Sequence, residues 1–194
     1  QKPETGRRLD ILNKTVTEAL VENRTALSEH DLEEAPLEAE LLVAASLGVS
    51  RTQLYAMLHD DFPAKSSARL TRLTRRRLNR EPLAYILGYR EFYGLRLKVN
   101  RSVLIPRPET ELLVDEAICV LKQRFPRGGA TIADVGVGSG AIAVALASYV
   151  KDSHIYGIEL SIGAFRIAEE NVKRQRFQDR ITILLGDLLN PVPV

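Results

Sequence analysis

Apolar positions recur at helical spacing through the first part of the chain. Leu9, Leu12, Val16, Ala19 and Leu20 fall on one face of a first predicted helix. Leu37, Leu41, Ala44, Ala45 and Leu47 define a second, with Pro36 in its first turn and Gly48 as its stop. Ser50 with Gln53 reads as a capping box opening a third helix through Leu54, Met57 and Leu58, and Leu70, Leu73 and Leu78 line a fourth. From Glu81 to Arg101 the period changes. Leu95, Leu97 and Val99 alternate with Arg96 and Lys98, and Gly88 and Gly94 mark turns, which predicts a hairpin. Pro106 and Pro108 then hold the backbone extended until a helix opens near Glu109, where Glu109, Thr110 and Glu111 suit capping and the helix dipole.

The remainder alternates short β-branched runs with helical ones. The run from Ala130 that ends in the acid Asp134 predicts a strand, Ala141 to Val150 a helix and His154 to Glu159 a second strand. A helix N-capped by Ser161 runs through Ile167, Ala168 and Val172 to about Arg176, and Ile181 to Leu185 is a third strand. Such alternation predicts an α/β fold with a parallel sheet. The organisation expected is a helical bundle over residues 1–80, a hairpin linker over 81–104 and an α/β domain over 105–194.

The candidate chemistry lies between the first strand and its helix. Asp134 precedes Gly136-Val137-Gly138-Ser139-Gly140, a turn whose glycines can reach φ > 0 and let a ligand lie almost against the backbone. The free N–H groups of the next helix point into that space, so a nucleotide-like cofactor is expected there. Gly136, Gly138 and Ala141 also satisfy the dinucleotide pattern, and an acid about 20 residues on is expected for either kind of cofactor. Glu159, at the end of the second strand, is placed to take ribose hydroxyls; the plainer reading is a first-turn acid of the following helix.

Composition narrows the class without naming the reaction. The 194 residues are 45% hydrophobic and 27% charged, as in a soluble globular protein. No apolar run approaches the roughly 20 residues of a membrane span, and no secretory signal is legible at the start. Cys119 is the only cysteine, which excludes an internal disulfide and favours a reducing, cytoplasmic compartment. His30, His59 and His154 have no partners at ligand spacing, so no metal is expected. The net charge of +2 hides an asymmetry: residues 1–61 carry 12 acids against 6 bases, whereas Lys65 to Arg80 holds seven bases and no acid. Arg69, Arg72, Arg75, Arg76, Arg77 and Arg80 read first as a solvated helix face, with a nucleic-acid or acidic-partner surface as the sharper alternative.

Two upstream segments are more specific than any glycine loop. Glu-Pro-Leu-Ala-Tyr-Ile-Leu-Gly-Tyr-Arg-Glu-Phe-Tyr-Gly-Leu from Glu81, and Ile-Pro-Arg-Pro-Glu-Thr-Glu from Ile105, resemble the protein-(glutamine-N5) methyltransferase family that modifies peptide chain release factors. Asp134 with glycines at strict two-residue spacing is likewise similar to the first motif of S-adenosylmethionine-dependent methyltransferases. The resemblance implies a Rossmann-like class I methyltransferase domain, here cut after about three strands. It implies S-adenosylmethionine held by Asp134, Gly136, Val137, Gly138, Ser139, Gly140 and Glu159, with Asp187 near the adenine amino group and Leu188 near its ring, and S-adenosylhomocysteine as product. Pro106, Arg107, Glu109 and Thr110 would shape a substrate cleft between the domains, with a release factor as protein partner and translation termination as the process modified. Val137 stands where the family usually has threonine, and Glu159 where aspartate is commoner. The family's catalytic Asn-Pro-Pro-Tyr motif is not met before Val194, so no catalytic residue is expected in this span, and the chain reads as the front of a longer protein that would be inactive alone. Alternatives left open are a nucleic-acid amino-group methyltransferase, a nicotinamide-dependent oxidoreductase and a non-catalytic nucleotide-binding module; the sequence does not address oligomeric state.

Overall fold

The computed structural model describes residues 14–193. Leu9 and Leu12, expected on the first helix, lie outside the described residues. The chain forms two compact units, the first ending at Leu87 and the second beginning at Gly88. No helix among the described residues is long and apolar enough to cross a membrane.

The first unit is helical: α1 (Val16–Ser28), α2 (Ala35–Leu47), α3 (Arg51–Ala56), α4 (Ala64–Leu78) and the single turn α5 (Leu83–Leu87). Local signals set most of its boundaries. Thr15 and Glu18 form a reciprocal capping box at α1, as Ser50 and Gln53 do at α3. Gly48 ends α2 in the left-handed region at φ 76°, where a residue with a Cβ is strained. The apolar faces meet in one core that includes Val16, Leu27, Leu42, Leu54, Leu70, Leu73 and Ile86. The α5 turn departs from the extended backbone expected after Glu81. Pro82 starts it, its carbonyl accepting the N–H groups of Tyr85 and Ile86, and burial of Ile86 in the helical core holds it.

The basic block on α4 is not uniformly solvated, which corrects the simple reading of its face. Arg77 is half-buried and makes a two-point ion pair with Glu38 of α2, Nε to Oε2 at 2.6 Å and Nη2 to Oε1 at 3.0 Å. Arg76 grips Glu81 in the same manner at 2.7 and 2.8 Å, and Arg80 donates to the His30 carbonyl at 2.8 Å. Lys65, Arg69, Arg72 and Arg75 remain exposed.

The second unit opens with the antiparallel hairpin β1 (Tyr89–Phe92) and β2 (Leu95–Lys98), Tyr89 opposite Lys98. Its two-residue turn is Tyr93-Gly94, both at positive φ, 52° and 73°, the geometry whose twist matches the flanking strands. Helix α6 (Thr110–Arg124) follows, then β3 (Thr131–Val135), α7 (Ala141–Tyr149), β4 (His154–Glu159), α8 (Ile162–Arg174) and β5 (Ile181–Leu185). The three strands pair in parallel in the order β3-β4-β5, Asp134 beside Gly157 and Gly157 beside Ile183. Phe92 and Leu97 of the hairpin share one core with Val114, Ile118, Val144, Ile155, Ala168 and Ile181. The hairpin is thus packed as part of the α/β unit.

Two details of this packing place the functional loop. Arg180 donates to the carbonyls of Ala147 and Val150 at 2.5 and 3.1 Å, closing the end of α7. Gly157 leaves the gap into which the Val137 side chain descends: a Cβ there would stand 2.8 Å from Ile183 Cδ1 and 2.9 Å from Val137 Cγ2. Gly157→Ala is therefore expected to cost about 1–3 kcal/mol by overpacking, read as a lowered urea midpoint with unchanged slope.

Candidate functional site

Parallel strands with their C-terminal ends aligned bring three segments of the sequence together. The turn after β3 runs Gly136 to Gly140 with positive φ at all three glycines, 79°, 56° and 81°. Its root is held by β4, because the N–H groups of Gly136 and Val137 both donate to the Ile158 carbonyl, at 2.8 and 3.0 Å. Its tip is held by Glu159: Oε2 accepts the Gly138 N–H at 2.9 Å while Oε1 accepts the Ser161 N–H at 2.9 Å. Gly186, just past β5, donates to the Glu159 carbonyl at 3.0 Å, which sets exposed Asp187 and Leu188 beside the same strand ends.

Glu159 therefore serves as an anchor of the loop as well as a candidate ribose acceptor. Ser161 remains the N-cap of α8, accepting from Ala164 N–H at 3.5 Å. Asp134 faces inward. It accepts the first-turn N–H of Ala143, while its Oδ2 is buried with no partner. Burial raises its pKa from an ordinary 3.8 to about 6; the Ala143 N–H opposes that rise and the Glu159 charge adds to it. The folded state then keeps a proton that the unfolded chain has released between about pH 4 and 6, so this residue's contribution to stability falls as pH rises through that window. Relative to Asp134→Asn, the parent should lose about 2 kcal/mol of unfolding free energy between pH 4.5 and 7, measured by urea denaturation at both pH values.

The rest of the loop divides between ligand space and core. A Cβ on Gly136 would meet nothing within 4 Å, and one on Gly138 only the Gly136 carbonyl at 3.8 Å, so the space against these glycines is open. Ala141 and Ile142 begin α7 and have no intrahelical acceptor for their N–H groups. Val137, by contrast, buries its side chain and uses its N–H on Ile158, and the Ser139 side chain is buried too. The Val137 side chain packs into the apolar core of the α/β unit.

Pro106, Arg107, Glu109 and Thr110 lie at the entrance to α6, where the Thr110 N–H donates to the Arg107 carbonyl at 3.0 Å, and among the described residues no hydrogen bond joins them to the glycine loop. Glu109 is the N-cap position but makes no side-chain cap, and Glu111 turns instead to accept the Tyr93 N–H at 2.7 Å. The capping expected of this first turn is therefore replaced by a tie to the hairpin. Apolar side chains that no motif singled out are exposed in this unit: Leu160 is 72% exposed, and Ile162, Leu104, Leu112 and Leu113 are also exposed. A leucine directly after the β4 acid was the available signal. His30 Nδ1 meets the Ala26 carbonyl at 2.9 Å and His154 Nε2 meets Thr182 Oγ1 at 2.9 Å. Among the described residues no group of three or more His, Cys, Asp or Glu side chains could hold a metal ion.

Comparison with known proteins decides the relationship. Residues 18–88 match the PrmC N-terminal domain and residues 132–193 a methyltransferase domain. The chain is 41% identical over 178 residues to a release factor glutamine methyltransferase of Geobacter sulfurreducens, covering 92% of this chain and 60% of that protein. The chain is homologous to the release factor glutamine methyltransferases. The enzyme of the same description from Moorella thermoacetica is 36% identical over 92% of this chain and 62% of its own length, and that of Rhodopirellula baltica 40% over 79% and 52%. The chain thus spans about half to three fifths of the curated relatives it matches. The β3-α7-β4-α8-β5 unit is the opening part of a class I methyltransferase fold, as the domain match over residues 132–193 and the parallel order require.

Proposed function

We propose that this chain supplies the cofactor loop and the substrate-docking helical domain of an enzyme that transfers a methyl group from S-adenosylmethionine to the side-chain amide nitrogen of a glutamine in a peptide chain release factor, in the cytoplasm. The observation that carries the reading is the 41% identity over 92% of the chain to a protein of that described activity. The site's chemistry supports the cofactor. Open space against Gly136 and Gly138, unpaired first-turn N–H groups on α7 and an orphaned carboxylate oxygen on Asp134 fit a polar, charged ligand.

In this reading Asp134 fixes the start of α7 through Ala143, Glu159 offers its carboxylate to ribose hydroxyls, and Asp187 and the 64% exposed Leu188 meet the base, with Leu160 adding apolar surface. S-adenosylmethionine, when bound, supplies an electrophilic methyl group on its sulfonium. An amide nitrogen is a weak nucleophile because its lone pair is delocalised, so the protein's task is to hold acceptor and donor close, in line and away from water. Pro106, Arg107, Glu109 and Thr110 are proposed to serve the acceptor side, and the helical unit to dock the release factor. No residue of this chain is assigned the proton of the acceptor amide.

The complete protein, given methyl-labelled S-adenosylmethionine, is expected to label a release factor and to leave duplex DNA and RNA unlabelled. Label in nucleic acid with none in the release factor would overturn the substrate assignment.

A further inference from the structure

Asn171, on α8, is fully buried and was not singled out by any motif. Its Oδ1 accepts the Lys98 N–H at 2.7 Å. Its Nδ2 donates to the Lys98 carbonyl at 2.9 Å and to the Ser139 carbonyl at 2.8 Å. Both amide donors of the side chain are thereby used, on two segments 41 residues apart in sequence: the last residue of β2 and the fourth residue of the glycine loop. Ser139 sits between two left-handed glycines, Gly138 and Gly140, so the backbone on either side of it carries no Cβ to fix its orientation. With its carbonyl held toward α8, the N–H of the same peptide, that of Gly140, points away and meets the Val137 carbonyl at 2.8 Å.

We propose that Asn171 is a positioning residue: by gripping the Ser139 carbonyl it sets the orientation of the loop peptides that face the cofactor, and by gripping Lys98 it makes hairpin strand and cofactor loop one rigid body. The role rests on the cofactor reading given above. Turning the Ser139 peptide would break both the Asn171 bond to its carbonyl and the bond from the Gly140 N–H to the Val137 carbonyl, and so would displace neighbouring Gly138, against which the cofactor space is open. Neighbouring contacts stiffen the hairpin side: the Lys98 ammonium pairs with Glu170 at 2.5 Å, and Gln175 Nε2 donates to the Arg96 carbonyl at 3.0 Å. Gln175 reaches the same hairpin from the same helix without touching the loop, so it separates docking of the hairpin from control of the loop.

The test compares Asn171→Asp, Asn171→Ala and Gln175→Ala in the complete protein, with S-adenosylhomocysteine titration by calorimetry and hydrogen exchange at Gly138 and Gly140. Asn171→Asp keeps the acceptor and loses both donors; Asn171→Ala loses all three bonds without adding charge and replaces it should the aspartate variant fail to fold. Either is expected to weaken S-adenosylhomocysteine binding at least about tenfold, to raise KM for S-adenosylmethionine more than it lowers kcat, and to speed loop exchange. Gln175→Ala is expected to leave affinity and loop exchange unchanged. Wild-type protein that bound no S-adenosylhomocysteine would defeat the cofactor reading and this proposal together. Wild-type binding matched by equal affinity and equal loop exchange in folded Asn171 variants would defeat the proposal alone.

Discussion

Glu159→Ala should weaken binding of S-adenosylhomocysteine by roughly a hundredfold. The estimate follows from removing a charged acceptor, since hydrogen bonds to ionised groups contribute about 1.5–3 kcal/mol each and every 1.4 kcal/mol is tenfold in affinity. The same substitution frees the Gly138 and Ser161 N–H groups that the carboxylate now holds, each at 2.9 Å, so a loss of about 1 kcal/mol in stability should accompany it. Glu159→Asp keeps the charge and shortens the reach; it should fall between parent and alanine variant. Calorimetric titration of the three proteins reads the order directly. Equal affinities in all three would show that Glu159 is a structural clamp on the loop and no part of the cofactor's binding.

Glu38→Ala should lower stability by about 3–5 kcal/mol. Glu38 and Arg77 pair in two-point geometry with only 8% and 16% of their side chains exposed, so removing the acid strands a guanidinium in a poorly hydrated place. The double replacement Glu38→Leu with Arg77→Met should recover most of the loss, because no charge is then left unpaired. By contrast, Glu170→Ala breaks pairs with Lys98 and Arg174 that are a third exposed or more, and should cost under about 1 kcal/mol. Urea denaturation of these proteins checks all three statements. A Glu38→Ala protein as stable as its parent would mean that Arg77 escapes to solvent when released.

What could be read from the sequence was what local chemistry decides. Thr15 to Glu18 and Ser50 to Gln53 bring their own capping partners within three residues, and Gly48 needs no distant contact to stop α2. The strands β4 and β5 match their expected spans because β-branched runs bounded by turns leave little choice. The glycine loop was legible for the same reason, its conformation requiring φ > 0 at stated positions. What was missed depends on partners far along the chain. The α5 turn reads as extended until burial of Ile86 against the helical core is known. Arg76 and Arg77 look like their neighbours on a basic face, and only the fold brings Glu81 and Glu38 onto them. Asn171 appears in sequence as one polar residue on an amphipathic helix, and its partners Lys98 and Ser139 are set by tertiary packing. Glu111 is the first-turn acid expected, and its carboxylate also accepts the Tyr93 N–H of the hairpin turn, a partner that only tertiary packing supplies.

Release factor treated with the complete protein and S-adenosylmethionine, then digested and mapped by mass spectrometry, tests the central claim most directly. The account predicts one added methyl group on the side chain of a single glutamine, absent when S-adenosylmethionine is omitted and when that glutamine is replaced. A methyl group on any other residue type, or an unmodified release factor from a protein that binds the cofactor, would contradict it.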